Sequence, residues 1–212
     1  MQPPPSFATL AAIVLAAGFS RRMGLEDKLL KLLNGKPVLS HSLDRIETID
    51  FGQVVVVAGA NCDHIAKLLP ASVTMIRNER ASDGMGSSIA AGASALGRSV
   101  RGAFIVLGDM PFVERSDYEK IAAAFHDFEE TAICVPAAAG RRGHPVLFGR
   151  SHFPALKRLS GDRGAQALFA APQTLVREVE ACSGGVLIDI DDAAAFAEAE
   201  RRFGKAAPGR SS

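Results

Sequence analysis

The chain has 212 residues, 48% hydrophobic and 22% charged, an ordinary folded composition that excludes a disordered or fibrous protein. Twenty-four basic against 23 acidic residues leave a net charge of +1, which excludes a general nucleic-acid binder and makes any anion site a local feature. Its three cysteines, Cys62, Cys134 and Cys182, lie far apart with no C-x-x-C pair, which excludes a disulfide framework or zinc motif and fits a reducing cytoplasm.

Residues 1–6 (MQPPPS) and 204–212 (GKAAPGRSS) are rich in Pro, Gly and Ser, so flexible termini are expected around one domain at 7–203. The uncharged run Phe7–Phe19 is too short to span a bilayer. Arg21 and Arg22 follow it rather than precede it, the wrong polarity for a secretion signal. It reads as a buried strand entering a loop; no membrane partner is expected. The clearest strands are predicted at Ala11–Ala16, within that run, and at Gln53–Ala58, Val73–Ile76, Ala103–Leu107 and Ala132–Val135. Runs such as Val54–Val57 do not alternate, as expected of strands covered on both faces. Helices are predicted at Val38–Glu47, Asp63–Leu69, Ser87–Leu96, Arg115–Phe128, Asp162–Phe169 and Asp192–Phe203, with Asp162 and Asp192 as N-caps. Strand–helix alternation implies an α/β domain, a mostly parallel sheet flanked by helices, with ligands bound beyond the carboxyl ends of its strands.

The unusual residues fall at those ends. After the first strand, 15–28 reads L-A-A-G-F-S-R-R-M-G-L-E-D-K, small residues and glycines with Arg21, Arg22 and Lys28 in reach. Backbone amides with Arg and Lys are the usual means of holding a polyphosphate; a solvated basic turn is the plainer alternative. Gly108-Asp109-Met110-Pro111 follows another strand, and Asp109 suits either an Mg²⁺ ligand or the cap of the next helix. In Ile188-Asp189-Ile190-Asp191, strand alternation would put both carboxylates on one face, where they repel unless a cation relieves them. Asn78 to Ser88 enters a helix through Gly84, suited to an anion or a sugar hydroxyl, or simply capped by Ser or Asp. Arg142-Gly143-His144-Pro145 and Gly161-Asp162-Arg163-Gly164-Ala165-Gln166 complete the set. A lone histidine is more often structural than catalytic.

Taken in order, L-A-A-G-x-S-x-R-M-G with K-L-L, N-x5-G-M-x-S-S, G-D-M-P, R-G-H-P-V-L-F, G-D-x-G-A and D-I-D resemble the motifs of the molybdenum cofactor nucleotidyltransferases, the MobA-like NTP transferase family. The resemblance spans residues 11 to about 192. It implies a single-domain, three-layer, Rossmann-like nucleotidyltransferase fold with a twisted sheet. It also implies a loop of Leu15, Ala16, Ala17, Gly18, Ser20, Arg22 and Lys28 around the nucleotide, with Gly18, Arg22 and Lys28 on the phosphates and Ala16 and Ala17 beside the base. Gly84 and Ser87 are implied near base and ribose, and Asp109 on the catalytic Mg²⁺ with help from Asp189 or Asp191. Arg22, Lys28 and Asp109 carry the catalysis in this reading, while His144 and Arg163 contact the acceptor.

The implied reaction joins the phosphate of molybdopterin to a nucleoside monophosphate, releasing pyrophosphate. Ala17 favours CTP over GTP as donor, with the product destined for a molybdenum hydroxylase. The chain departs from the family in one stretch and at two single positions: Asp192-Ala193-Ala194-Ala195 stands for T-P-E-D, Gln166 for Arg, and Ala81 for an aromatic. Guanylyl transfer, another small phosphate acceptor, or a non-catalytic cofactor chaperone are the alternatives.

Overall fold

A computed structural model describes residues 6–18, 27–126, 129–171 and 174–206. The chain runs β1 (Leu10–Ala16), β2 (Leu32–Leu33), β3 (Lys36–Pro37), α1 (Val38–Glu47), β4 (Gln53–Ala58), α2 (Cys62–Ala66) and β5 (Thr74–Arg77). It continues with α3 (Met85–Ser94), β6 (Gly102–Leu107), α4 (Arg115–His126), β7 (Ala132–Ala138), β8 (Arg141–Arg142) and β9 (Val146–Gly149). The last elements are α5 (Phe153–Leu156), α6 (Gln166–Phe169), β10 (Leu175–Glu180) and α7 (Ala193–Ala206).

Among the described residues, eight strands form one sheet in the order β10-β7-β9-β6-β1-β4-β5, with β8 attached to β7. β1 is Ala, Ile, Val and Leu throughout and pairs in parallel with β4 on one side and β6 on the other. A strand without polar side chains can be covered on both faces, and so takes the centre. β9 alone runs antiparallel to both its neighbours, β6 and β7, and β8 is antiparallel to β7.

Alternation along β1, β4 and β6 sorts the core into two faces. Ala12, Val14, Val56 and Phe104 pack with Leu39, Leu43 and Ile46 of α1 and Tyr118, Ile121 and Phe125 of α4. Ala11, Ile13, Val55, Val57 and Ile105 pack with Ile89 and Ala93 of α3 and Phe153 and Leu156 of α5. Each Val, Leu, Ile or Phe among them contributes roughly 1.5–3 kcal/mol when fully buried, and each alanine less. α3 lies especially close to the sheet: a Cβ on Gly92 would run into Ile13 and stand 3.1 Å from Val57. The three layers, helices on both faces of a mostly parallel sheet, are those expected from the alternation.

Several local expectations are corrected. The helix expected at Asp162–Phe169 is only Gln166–Phe169 and is preceded by Ala165, so Asp162 does not cap it. Two positive-φ glycines, Gly161 (φ +73°) and Gly164 (φ +54°), turn the chain there instead. Val186–Asp192 is not a strand: Gly184–Leu187 forms a tight 3₁₀ turn, and 188–191 runs without a ladder partner. β9 and β10 were not anticipated, since one is four residues long and the other alternates with charge (LVREVE) as an edge strand does. Asp192 does cap α7, accepting the Ala195 N–H at 2.8 Å. α7 continues to Ala206, beyond the expected boundary at 203. No helix among the described residues is long and apolar enough to cross a membrane.

After β1 the chain moves outward to β4 and β5, then returns to β6 on the other side of β1. Connections that leave in opposite directions open a crevice beyond the carboxyl ends of β1 and β6, where an α/β sheet binds its ligand.

Candidate functional site

At that crevice Gly108 lets the end of β6 tuck under the end of β1. Its N–H donates to the Leu15 carbonyl at 3.1 Å, and a Cβ there would sit 2.9 Å from that oxygen. Asp109, the next residue, is thereby aimed across the ends of the strands. The Asp109 carbonyl accepts the Ile190 N–H at 3.0 Å, which draws 189–191 alongside. Ile190 is buried with Phe196 and Ala199 of α7, leaving Asp189 and Asp191 on the opposite side, facing the crevice. Upstream, Asp117 anchors the same segment by accepting the Cys182 N–H (2.8 Å), the Ser183 N–H (3.1 Å) and the Ser183 hydroxyl (2.7 Å).

Lys28 closes the arrangement. Its Nζ donates to Asp109 Oδ2 at 2.5 Å and to Asp191 Oδ1 at 2.6 Å. Burial alone would lower the lysine pKa, but the charges and hydrogen bonds of Asp109 and Asp191 outweigh it and hold the ammonium above its ordinary value. Asp189 shifts the other way: burial, and then the charge of Asp191, push its carboxyl above the usual range. Among the described residues no three His, Cys, Asp or Glu side chains stand close enough to form a ready metal cage. The donor set nonetheless suits a hard divalent cation. Asp109, Asp189 and Asp191 line one cavity with carboxylates, and the burial and then the Asp191 charge that raise Asp189 are both costs a bound cation would offset.

The cavity measures about 360 Å³ and is walled by Leu15, Ala17, Gly18, Leu29 and Leu107 on the strand side and by Ala81, Ser82, Gly84, Met85 and Ser88 on the other. Gly84 holds φ +99°, and a Cβ on it would lie 2.6 Å from the Gly161 carbonyl oxygen, so this corner requires glycine. A second cavity of about 430 Å³ holds Arg142, His144, Arg163, Gln166, Phe148 and Phe169. Met85 and Asp162 line both, so the two spaces adjoin. The His144 Nδ1 is buried without a hydrogen-bond partner, and burial holds the imidazole below its ordinary pKa.

Of the residues singled out in the sequence, Leu15, Ala17, Gly18, Lys28, Gly84, Asp109, Asp189 and Asp191 meet at the first cavity, and His144 and Arg163 at the second. Ser20 and Arg22 lie outside the described residues. Ala16 is fully buried and does not line the cavity. Ser87 is also turned away: its hydroxyl accepts from Asn78 Nδ2 (2.9 Å) and donates toward the Arg80 (2.7 Å) and Gly84 (2.9 Å) carbonyls. Consecutive residues on a helix point about 100° apart, and Ser88 takes the cavity position instead. Asp162 and Met85 were not foreseen as lining residues. The motif G-D-x-G-A contained the aspartate, but as a helix cap, and no periodicity separates a lining methionine from a core one.

A family model for the MobA-like NTP transferase domain matches residues 12–178. The bifunctional protein GlmU of Dinoroseobacter shibae is 31% identical over 186 residues, 84% of this chain and 38% of that protein. GlmU of Paramagnetospirillum magneticum is 30% identical over 143 residues, 65% of this chain and 31% of that protein. The chain thus spans about a third of the length of these curated relatives. Among solved structures, a homologue of Mycobacterium tuberculosis Rv0371c from Mycobacterium sp. strain JC1 superposes with TM-score 0.82 at 25% identity, covering 93% of this chain and 98% of that one. Rv0371c itself, solved as a complex with manganese, gives 0.76 at 25% identity over 91% of this chain and 98% of that one. Molybdopterin-guanine dinucleotide biosynthesis protein A of Archaeoglobus fulgidus shares the fold, with TM-score 0.69 at 16% identity over 92% of this chain and 99% of that one. With the family model covering most of the chain, and Lys28, Asp109 and Asp191 meeting at one crevice, the chain belongs to the MobA-like NTP transferase domain family and is a nucleotidyltransferase domain.

Proposed function

We propose that this domain transfers CMP from CTP to the terminal phosphate of a molybdopterin-type acceptor and releases pyrophosphate. The observation that carries the reading is the meeting of Lys28 with Asp109 and Asp191 at a cavity that opens onto a second, arginine-bearing one. The first space suits the nucleotide: small residues at 17 and 18 admit it closely, and the Lys28 ammonium is within reach of its phosphates. The Ala17 methyl narrows the base pocket in favour of a pyrimidine. The second space suits the acceptor, with Phe148 and Phe169 for a ring system and Arg142, Arg163 and His144 for its polar groups.

In this mechanism an acceptor phosphate oxygen attacks the α-phosphorus of CTP. A P–O bond forms there, the bond to the α–β bridging oxygen breaks, and pyrophosphate leaves with the electron pair. The attacking oxygen is already ionised, so no base is needed, which agrees with a buried His144 that disfavours a proton. Lys28, with Arg22, neutralises charge growing on the leaving group. Asp109, with Asp189 or Asp191, would hold magnesium, which when bound supplies relief of the repulsion between the two phosphates. Orienting two anions that would part in water is the chief work of the pocket. The product would pass to a molybdenum hydroxylase in the cytoplasm.

A guanylyl donor is the second reading, favoured by the fold shared with molybdopterin-guanine dinucleotide biosynthesis protein A. Pyrophosphate release measured with CTP, GTP and ATP, each with molybdopterin or with a sugar phosphate, tests the proposal. CTP with molybdopterin should be turned over fastest. A GTP preference overturns the base assignment, a sugar-phosphate preference overturns the acceptor, and release from none of them overturns transfer in favour of a carrier.

A further inference from the structure

Asn61 stands between β4 and α2, and its side chain serves three partners at once. Its Oδ1 accepts the Gly59 N–H at 3.2 Å; its Nδ2 donates to the Ala16 carbonyl at 3.3 Å and to the Asp27 carboxylate. None of these bonds caps the helix that begins beside it. Asp27 passes the connection on: its Oδ1 accepts the Leu29 N–H at 3.0 Å, and its carbonyl accepts the N–H groups of Leu30 (3.0 Å) and Lys31 (3.2 Å). Ala16 closes β1 just before the cavity-lining Ala17 and Gly18, and Asp27 directly precedes Lys28. One amide therefore joins the point where the chain leaves β1 to the point where it returns carrying the lysine.

We propose that Asn61 is a positioning residue, which through Asp27 sets where the Lys28 ammonium stands relative to Asp109 and Asp191. The inference rests on the reading of Lys28 as a phosphate-binding group. A side chain with four rotatable bonds is placed by its root, and an ångström of drift at a reacting centre is costly. Asn61 suits the task because its short amide offers an acceptor and a two-proton donor together: a leucine or an aspartate at 61 would break the link to Asp27 or oppose it with like charge.

The test uses the full chain, with pyrophosphate release from CTP as one readout and amide hydrogen exchange as another. Asn61→Ala should lower kcat/KM by roughly 10- to 100-fold, the range for loss of a charge-assisted hydrogen bond. In a Lys28→Ala background the same substitution should cost no more than about threefold, because both act through one group. Equal losses in the two backgrounds would overturn the proposal and leave Asn61 merely structural. Asn61→Ala should also speed exchange at the Leu29–Lys31 amides; unchanged exchange there is a second overturning result. Should Asn61→Ala not fold, Asn61→Asp paired with Asp27→Asn carries the test. That exchange restores a donor facing an acceptor, and should recover activity and protection lost in Asn61→Asp; no recovery refutes the link. A wild-type chain that releases no pyrophosphate refutes the functional reading instead, and the exchange data then decide the positioning claim alone.

Discussion

Asp109 and Asp191 each bring a negative charge to the Lys28 ammonium, and Asp189 brings a third to the same cavity. Removing the lysine leaves carboxylates that are partly shielded from water facing one another. Lys28→Ala should therefore lower stability by about 2–3 kcal/mol, somewhat below the cost of breaking a fully buried pair. Millimolar Mg²⁺ should restore part of that loss in a thermal melt while affecting the wild type less. A variant as stable as wild type, or indifferent to the ion, would contradict the electrostatic account. At His144 the relevant quantity is the proton. Burial holds its pKa below the ordinary 6.5, so the unfolded chain takes up a proton that the folded chain refuses. Its contribution to stability is present above about pH 6.5 and declines as the pH falls below it. Denaturant titrations of His144→Gln should lose less stability than wild type between about pH 7 and pH 5; parallel curves would show that His144 is not the group responsible.

The elements place these residues by their ends rather than their lengths. α3 enters through Gly84 at φ +99°, wedged against the Gly161 carbonyl, so the corner joins the first cavity to the turn that carries Asp162 and Arg163. Gly84→Ala should cost about 1–3 kcal/mol from backbone strain alone. It should also weaken nucleotide binding measured by calorimetry, because the start of α3 must move; unchanged affinity would remove Gly84 from the site. Elements were legible to different degrees for a physical reason. β1, β4 and β6 announce themselves because a strand covered on both faces must be apolar at every position. β10 faces solvent along its edge and alternates with charge, and β9 is too short for any period to register. Ser87 and Ser88 show a finer limit: both follow the same glycine, and only the rotation of α3 decides which hydroxyl meets the cavity.

For the molecule as a whole, a ligand that binds the folded chain alone must stabilise it. CTP with Mg²⁺ at about 100 times its Kd should add ~2.7 kcal/mol. For a chain of this length, that raises Tm by roughly 5–10 °C. Thermal melts with CTP, GTP and CMP measure it; a flat response to every nucleotide would contradict a preformed pocket. The net charge of +1 gives no long-range pull on a polyanion, so this stabilisation has to come from the local cluster.

From the residues alone came the parallel centre of the sheet, the small residues that follow β1, and the acid that follows β6. Each is written in a contiguous stretch whose burial or turn chemistry leaves few options. Which of them meet was decided by tertiary structure. Lys28 is 81 residues from Asp109 and 163 from Asp191 in sequence, yet one ammonium touches both. That contact depends on the order of the strands, on Gly108 tucking beneath Leu15, and on the Ile190 backbone bond to Asp109. Local periodicity records which face a residue shows; it carries no information about which distant strand end that face will meet.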